Sequence, residues 1–168
     1  LGFPFHFDWV TILLIAGVGS VFVFGLLEAT APPLDADTLA YHYAIPKYFL
    51  ENGGIEFIPI ALEGAIPLLV HLTYLINLAL GGELSLTLWA LTTEMITALT
   101  LYGVGRRWLS RNWALTIALV FLTTPAVIYG GGSGAIEVRL ALFMLVGVVA
   151  ASDGAIKQDF GKIAVAGL

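Results

Sequence analysis

Long apolar runs, not the strand alternation or the one-faced stripe of a soluble helix, dominate the polar and hydrophobic pattern of this chain. Val10 to Leu27 carries no charge and lies between Trp9 and Glu28, which predicts a first transmembrane helix with an aromatic interface anchor. Leu84 to Val104, Ala114 to Tyr129 and Ala135 to Ala151 predict three more spans, and an apolar run opening at Ile163 predicts the start of another. Ile66 to Leu80 is also apolar but has only 15 residues, with His71, Tyr74 and Asn77 three apart. At 1.5 Å per residue it reaches about 22 Å, short of the roughly 30 Å hydrocarbon core. It is expected to lie at the interface, with that stripe turned to the headgroups or to a site.

Placing the short segment on the surface gathers Arg106, Arg107 and Arg111 on the same side as Lys157 and Lys162. Five of the seven basic residues then face the cytoplasm, as the positive-inside rule asks. Segment 28–83 and the turn Gly130–Arg139 fall together outside. Four complete spans result. The chain opens on Leu1 and ends inside an apolar run, so it is expected to be the N-terminal fragment of a longer polytopic protein, read as a single transmembrane region over 1–168.

Composition fits this class. Hydrophobic residues make up 59% and charged residues 11% of the chain, with mean hydropathy +0.95, whereas soluble domains are about 25% charged. Seven Lys and Arg against twelve Asp and Glu give a net charge of −5 without a basic tract, which excludes nucleic-acid binding through a basic surface. The absence of cysteine removes disulfides, thiolate metal sites and cysteine nucleophiles.

The non-spanning segment 28–65 is where binding and catalysis are expected. Asp37 to Asn52 predicts a helix with Asp37 as its cap, Leu39, Tyr43, Pro46 and Leu50 on one face, a break near Pro46, and Gly53-Gly54 at its end. The acids at helix starts are Asp35, Asp37 and Glu137. Each has a bland reading as a cap or a charge complementing a helix dipole. Their shared side of the membrane also allows a site between Asp37 and Glu137, where a carboxylate could deprotonate an acceptor hydroxyl. Tyr41 lies one turn after Asp37, with His42 beside it. Arg139 could hold a phosphate or neutralise Glu137. A divalent metal on Asp37, His42 and Glu137 suits the residue types, although the spacing carries no specific ligand signature. Glu94, in mid-span among Thr92, Thr93, Thr97 and Thr100, costs roughly 2.5–3.5 kcal/mol to insert if ionised. It reads either as a functional group or as a protonated acid hydrogen-bonded between helices.

The order of these features resembles the N-terminal part of bacterial GT-C glycosyltransferases of family 39, the protein-mannosyltransferase-like type. The resemblance rests on the outer segment Asp37-Thr-Leu-Ala-Tyr-His42 with Ile45-Pro-Lys-Tyr-Phe-Leu-Glu-Asn-Gly-Gly54, then Gly105-Arg-Arg-Trp-Leu-Ser-Arg-Asn-Trp-Ala114, Thr123-Thr-Pro-Ala-Val-Ile-Tyr129 and a small-residue turn bearing an acid. It implies an all-α polytopic GT-C-like bundle with outer-face juxtamembrane helices. It also implies sugar transfer from a polyprenyl-phosphate donor to a lipid, glycan or protein acceptor, within the lipid of a bacterial inner membrane and with the active site facing the periplasm. Asp37 then corresponds to the catalytic base, Glu137 to a second catalytic acid where the family usually carries Asp, and Tyr41, His42, Lys47 and Arg139 to substrate-binding residues. No cofactor follows from it. The alternatives are a non-catalytic membrane scaffold or accessory subunit, and a transporter using Glu94.

Overall fold

A computed structural model of the chain describes residues 8–58 and 69–167. Among these residues the protein is all-helical. Three helices are long and apolar enough to cross a membrane, or four if one bent pair counts as a span. The first, α1 (Trp9–Ala29), has 21 residues, about 31 Å at 1.5 Å per residue and so matched to a bilayer core. Asp8 caps it by accepting from Thr11 N at 2.7 Å. The Thr11 hydroxyl donates to Asn112 Oδ1 at 2.6 Å, and Asn112 Nδ2 donates back to Asp8 Oδ2 at 3.1 Å. This polar latch ties the start of α1 to the start of α4 (Arg111–Leu122).

Between α1 and the next span the chain forms a π-helical turn, Thr38–His42, and then α2 (Ala44–Asn52). The break expected near Pro46 falls at Tyr43. Tyr43 N bonds Thr38 O, five residues back, at 2.9 Å, and Pro46 has no N–H to offer the His42 carbonyl, so the regular ladder cannot pass through. The buried face differs from the expected one as well. Thr38, His42, Ile45 and Phe49 are buried, whereas Leu39 and Leu50 are 52% and 44% exposed. Tyr43 and Pro46 of the expected face are buried, and the face widens to include His42, whose ring bonds His71 inside, which a purely apolar pattern does not reveal. Gly53 ends α2 in the left-handed region, with Gly54 N bonded to Phe49 O at 3.1 Å.

The short apolar segment and the second span form one bent element, α3 (Leu69–Gly105); residues 66–68 of the expected short helix lie outside the described residues. The bend is at Gly82, whose φ of 66° and ψ of −161° belong to a region open essentially to glycine alone. This conformation separates the short helix from the span as the sequence anticipates. Its stripe turns inward, with Tyr74 fully buried and His71 nearly so.

The expected span 114–129 is interrupted. α4 ends at Leu122, α5 (Pro125–Gly131) begins at Pro125, and the two are bent by 67°. Proline at the first helical position forces the preceding Thr124 into extended conformation, and this is the break. α6 (Glu137–Lys157) returns through the bundle, and after Gln158 in left-handed conformation α7 (Phe160–Ala166) folds back against it. One end of the bundle thus carries segment 30–58, the Gly82 bend and the turn 130–136; this is called the loop end below. At the other end Arg107 is ion-paired with Asp153, which also faces Lys157 at 3.9 Å. The arginine segment and the late lysine share that basic end.

Candidate functional site

At the loop end the polar side chains of segment 35–43 close onto the turn 130–137. Asp35, not Asp37, starts this arrangement. Its Oδ2 accepts from Thr38 N at 2.8 Å and its Oδ1 from the Tyr129 hydroxyl at 2.7 Å. These two bonds, Tyr129 first, hold the Asp35 carboxyl below its ordinary value. Asp37, expected to cap the helix, makes no capping bond; it stays exposed, with its carboxylate open to other partners. The correction follows from reach, because Asp35 stands three residues before Thr38, the spacing at which a side-chain oxygen meets an orphan N–H.

Behind this rim lies a buried aromatic and imidazole cluster. His42 Nδ1 and His71 Nε2 share a hydrogen bond of 2.9 Å, both rings being almost wholly buried. Burial holds the His42 imidazole below its ordinary value, against Glu137 and Asp37, whose charges favour its protonated form. The Tyr74 hydroxyl donates to Gly134 O at 2.7 Å, and Tyr43 meets Tyr74 edge-on at 5.9 Å. Burial pushes the Tyr43 hydroxyl up. Tyr41, half-buried, is tilted against His42 with ring centroids 4.2 Å apart.

Arg139 departs most from expectation. Glu137 is exposed, but Arg139 is fully buried; two positions on a helix point about 200° apart at 100° per residue, so the two cannot share a face. Its Nη2 donates to Gly130 O at 3.1 Å and to Ala135 O, and its guanidinium carbon sits 5.9 Å from the Tyr74 ring centre. Neither the expected phosphate-facing position nor a neutralising Arg139–Glu137 ion pair is formed among the described residues. Arg139 instead clamps the turn from within through two carbonyls and a cation–π contact, the latter worth about 2 kcal/mol when desolvated. His42 is likewise interior and joined to His71, and does not present itself to a substrate. Lys47 is exposed and stands 4.0 Å from Glu83.

The sequence-predicted residues thus divide into two layers. Asp37, Glu137 and Lys47 are exposed at the loop end, with Tyr41 half-buried beside His42; His42 and Arg139 form the layer behind. Among the described residues no three His, Asp or Glu side chains converge in a way that could hold a metal ion, so the Asp37, His42 and Glu137 metal set is not assembled. A cavity of about 230 Å³ opens beside Asp35 and Tyr129, bounded by Glu28, Pro33 and Ser133. Sequence reasoning did not find the Asp35–Tyr129 and His42–His71 contacts. The only available signal for the second was His71 in the polar stripe of a short apolar segment.

The chain matches no protein-family model, no curated protein and no solved structure.

Proposed function

We propose that this chain is the membrane-embedded catalytic region of a GT-C-like glycosyltransferase that moves a sugar from a polyprenyl-phosphate donor to an acceptor at the outer face of a bacterial inner membrane. What supports the reading is the closing of the two loop-end segments on each other, the Tyr129 hydroxyl donating to Asp35 Oδ1 at 2.7 Å, with Asp37 and Glu137 both left exposed at that end of the bundle. In this proposal Asp37 is the general base, Glu137 positions acceptor or donor, and Tyr41 and Lys47 contact the substrate. His42 with His71, and Arg139 with Tyr74, hold the two segments together from behind and act as positioning residues.

The test is transfer of radiolabelled sugar from polyprenyl-phosphate donors by membranes containing the full-length protein at matched expression. Asp37→Asn should lower the rate about 10²–10⁴-fold, the usual contribution of a general base. Glu137→Gln should impair transfer and Glu137→Asp should retain it. Undiminished transfer in well-inserted Asp37→Asn refutes the assignment. A second reading, a non-catalytic membrane scaffold or subunit, is favoured by one observation: Trp9, Leu13, Phe24 and Leu27 of α1 are each more than half exposed, which leaves that flank to lipid or further helices.

A further inference from the structure

Two carboxylates play no part in the proposed transfer. Glu94, in the spanning half of α3, is 3% exposed, and none of the hydrogen bonds or ion pairs formed among the described residues engages its carboxylate. The group lies directly on the backbone of Gly131. A Cβ at that position would overlap Oε2 and come within 2.7 Å of Cδ. Glu28, in the last turn of α1, lies in the same way on the next residue, where a Cβ at Gly132 would stand 2.8 Å from its Cγ and 2.9 Å from its Cδ. Consecutive Cα atoms are about 3.8 Å apart, so Gly131-Gly132 seats carboxylates from two different helices on neighbouring residues.

Both acids line one cavity of about 220 Å³, otherwise walled by Val21, Phe24, Gly25 and Ile128. Glu28 also bounds the cavity beside Asp35 and Tyr129, so it stands between the pair's cavity and the loop end. The charged groups acting on Glu94 are Arg139 and Glu28. Arg139 stays protonated under all ordinary conditions, so with both acids ionised the cluster holds two negative charges and one positive. Glu28 is exposed at the rim of the cavity, so the cost of holding uncompensated charge falls on the buried Glu94. One added positive charge balances it. A divalent ion would leave the cluster with a surplus positive charge in the same apolar surroundings.

We propose that Glu28 and Glu94, seated on Gly131-Gly132, form a binding site for one monovalent cation, a proton or an alkali-metal ion. The proposal stands apart from the sugar-transfer reading and survives its failure. It also accounts for Gly131 and Gly132, where any side chain would displace one of the acids.

The test uses the full-length protein in nanodiscs and two measurements: saturable binding of radioactive sodium, and the infrared band of a protonated carboxylic acid at neutral pH. Saturable sodium binding near one ion per chain identifies an alkali-metal ion; a protonated-acid band without sodium binding identifies the proton. In either case the signal should be lost in Glu94→Gln and in Gly131→Ala, which fills the seat, and weakened in Glu28→Gln. A Gly54→Ala control, with open space around its Cβ, should retain it. The proposal is overturned if the wild type gives neither signal, if the signal persists undiminished in both Glu94→Gln and Glu28→Gln, or if calcium displaces sodium at lower concentration than potassium does.

Discussion

Gly134→Ala measures how tightly the two loop-end segments are interlocked. Gly134 has φ of +89°, and a Cβ there would overlap the Tyr43 hydroxyl and lie 2.6 Å from its Cε1 and 2.7 Å from its Cζ. The left-handed backbone costs an alanine about 1–2 kcal/mol. Forcing a buried ring aside costs about 1–3 kcal/mol more, because Tyr43 is held edge-on by Tyr74 and Tyr74 is itself bonded to Gly134 O. The substitution should therefore destabilise the protein by about 2–5 kcal/mol, the sum of those two costs. Equilibrium unfolding in mixed micelles reads this, and a double-mutant cycle separates the parts. In a Tyr43→Ala background the steric cost disappears, and Gly134→Ala should then cost only about 1–2 kcal/mol, the backbone share. A Gly134→Ala protein within about 0.5 kcal/mol of wild type, the spread of ordinary surface changes, refutes the interlock.

Other outcomes are equally specific. Single cysteines at positions 52 and 111 should be labelled from opposite sides in intact cells, position 52 from outside; labelling of 111 with 52 protected reverses the proposed orientation. The Asp35 carboxyl is held below its ordinary value of 3.8, so the stability its bonds provide is complete above that value and is lost as the pH falls through the folded value. Tyr129→Phe should accordingly lower stability only slightly at neutral pH, because the pair faces solvent, and the difference from wild type should shrink as the pH falls below 3.8. Asp35→Asn should reduce sugar transfer far less than Asp37→Asn, because Asp35 is already occupied by Thr38 and Tyr129.

The spans were legible because the bilayer imposes a coarse requirement, about 20 apolar residues, that α1 and α6 meet in plain sight. The Gly82 bend was legible for a related reason: the segment before it is too short to cross. The break at Thr124 was missed although Pro125 stood in the run, because apolar composition continues unchanged through it and only backbone geometry registers the interruption. In the outer segment the pattern placed Tyr43 and Pro46 inside correctly and Leu39 and Leu50 wrongly, and it missed His42, which is bonded to a ring 29 positions away. A contact at that separation leaves no mark on local periodicity. Arg139 shows the same limit: adjacency to Glu137 in sequence suggested a pair, and helical rotation put them on opposite sides. Glu94 was conspicuous because charge is rare at that depth, but the glycines beneath it became meaningful only once α1, α3 and α5 were brought together.

The latch between Asp8, Thr11 and Asn112 has a consequence in time. Its partners are separated by 101 positions along the chain, and ribosomes add about 5–20 residues per second. The first helix must therefore wait roughly 5–20 s after it emerges before Asn112 exists to receive it. During that interval α1 stands in the membrane without the helix that later fastens its base, and whatever machinery or lipid accompanies it has to leave that edge free. Closure of the bundle at its basic end therefore follows the synthesis of α4, whatever the stability of the first helix alone.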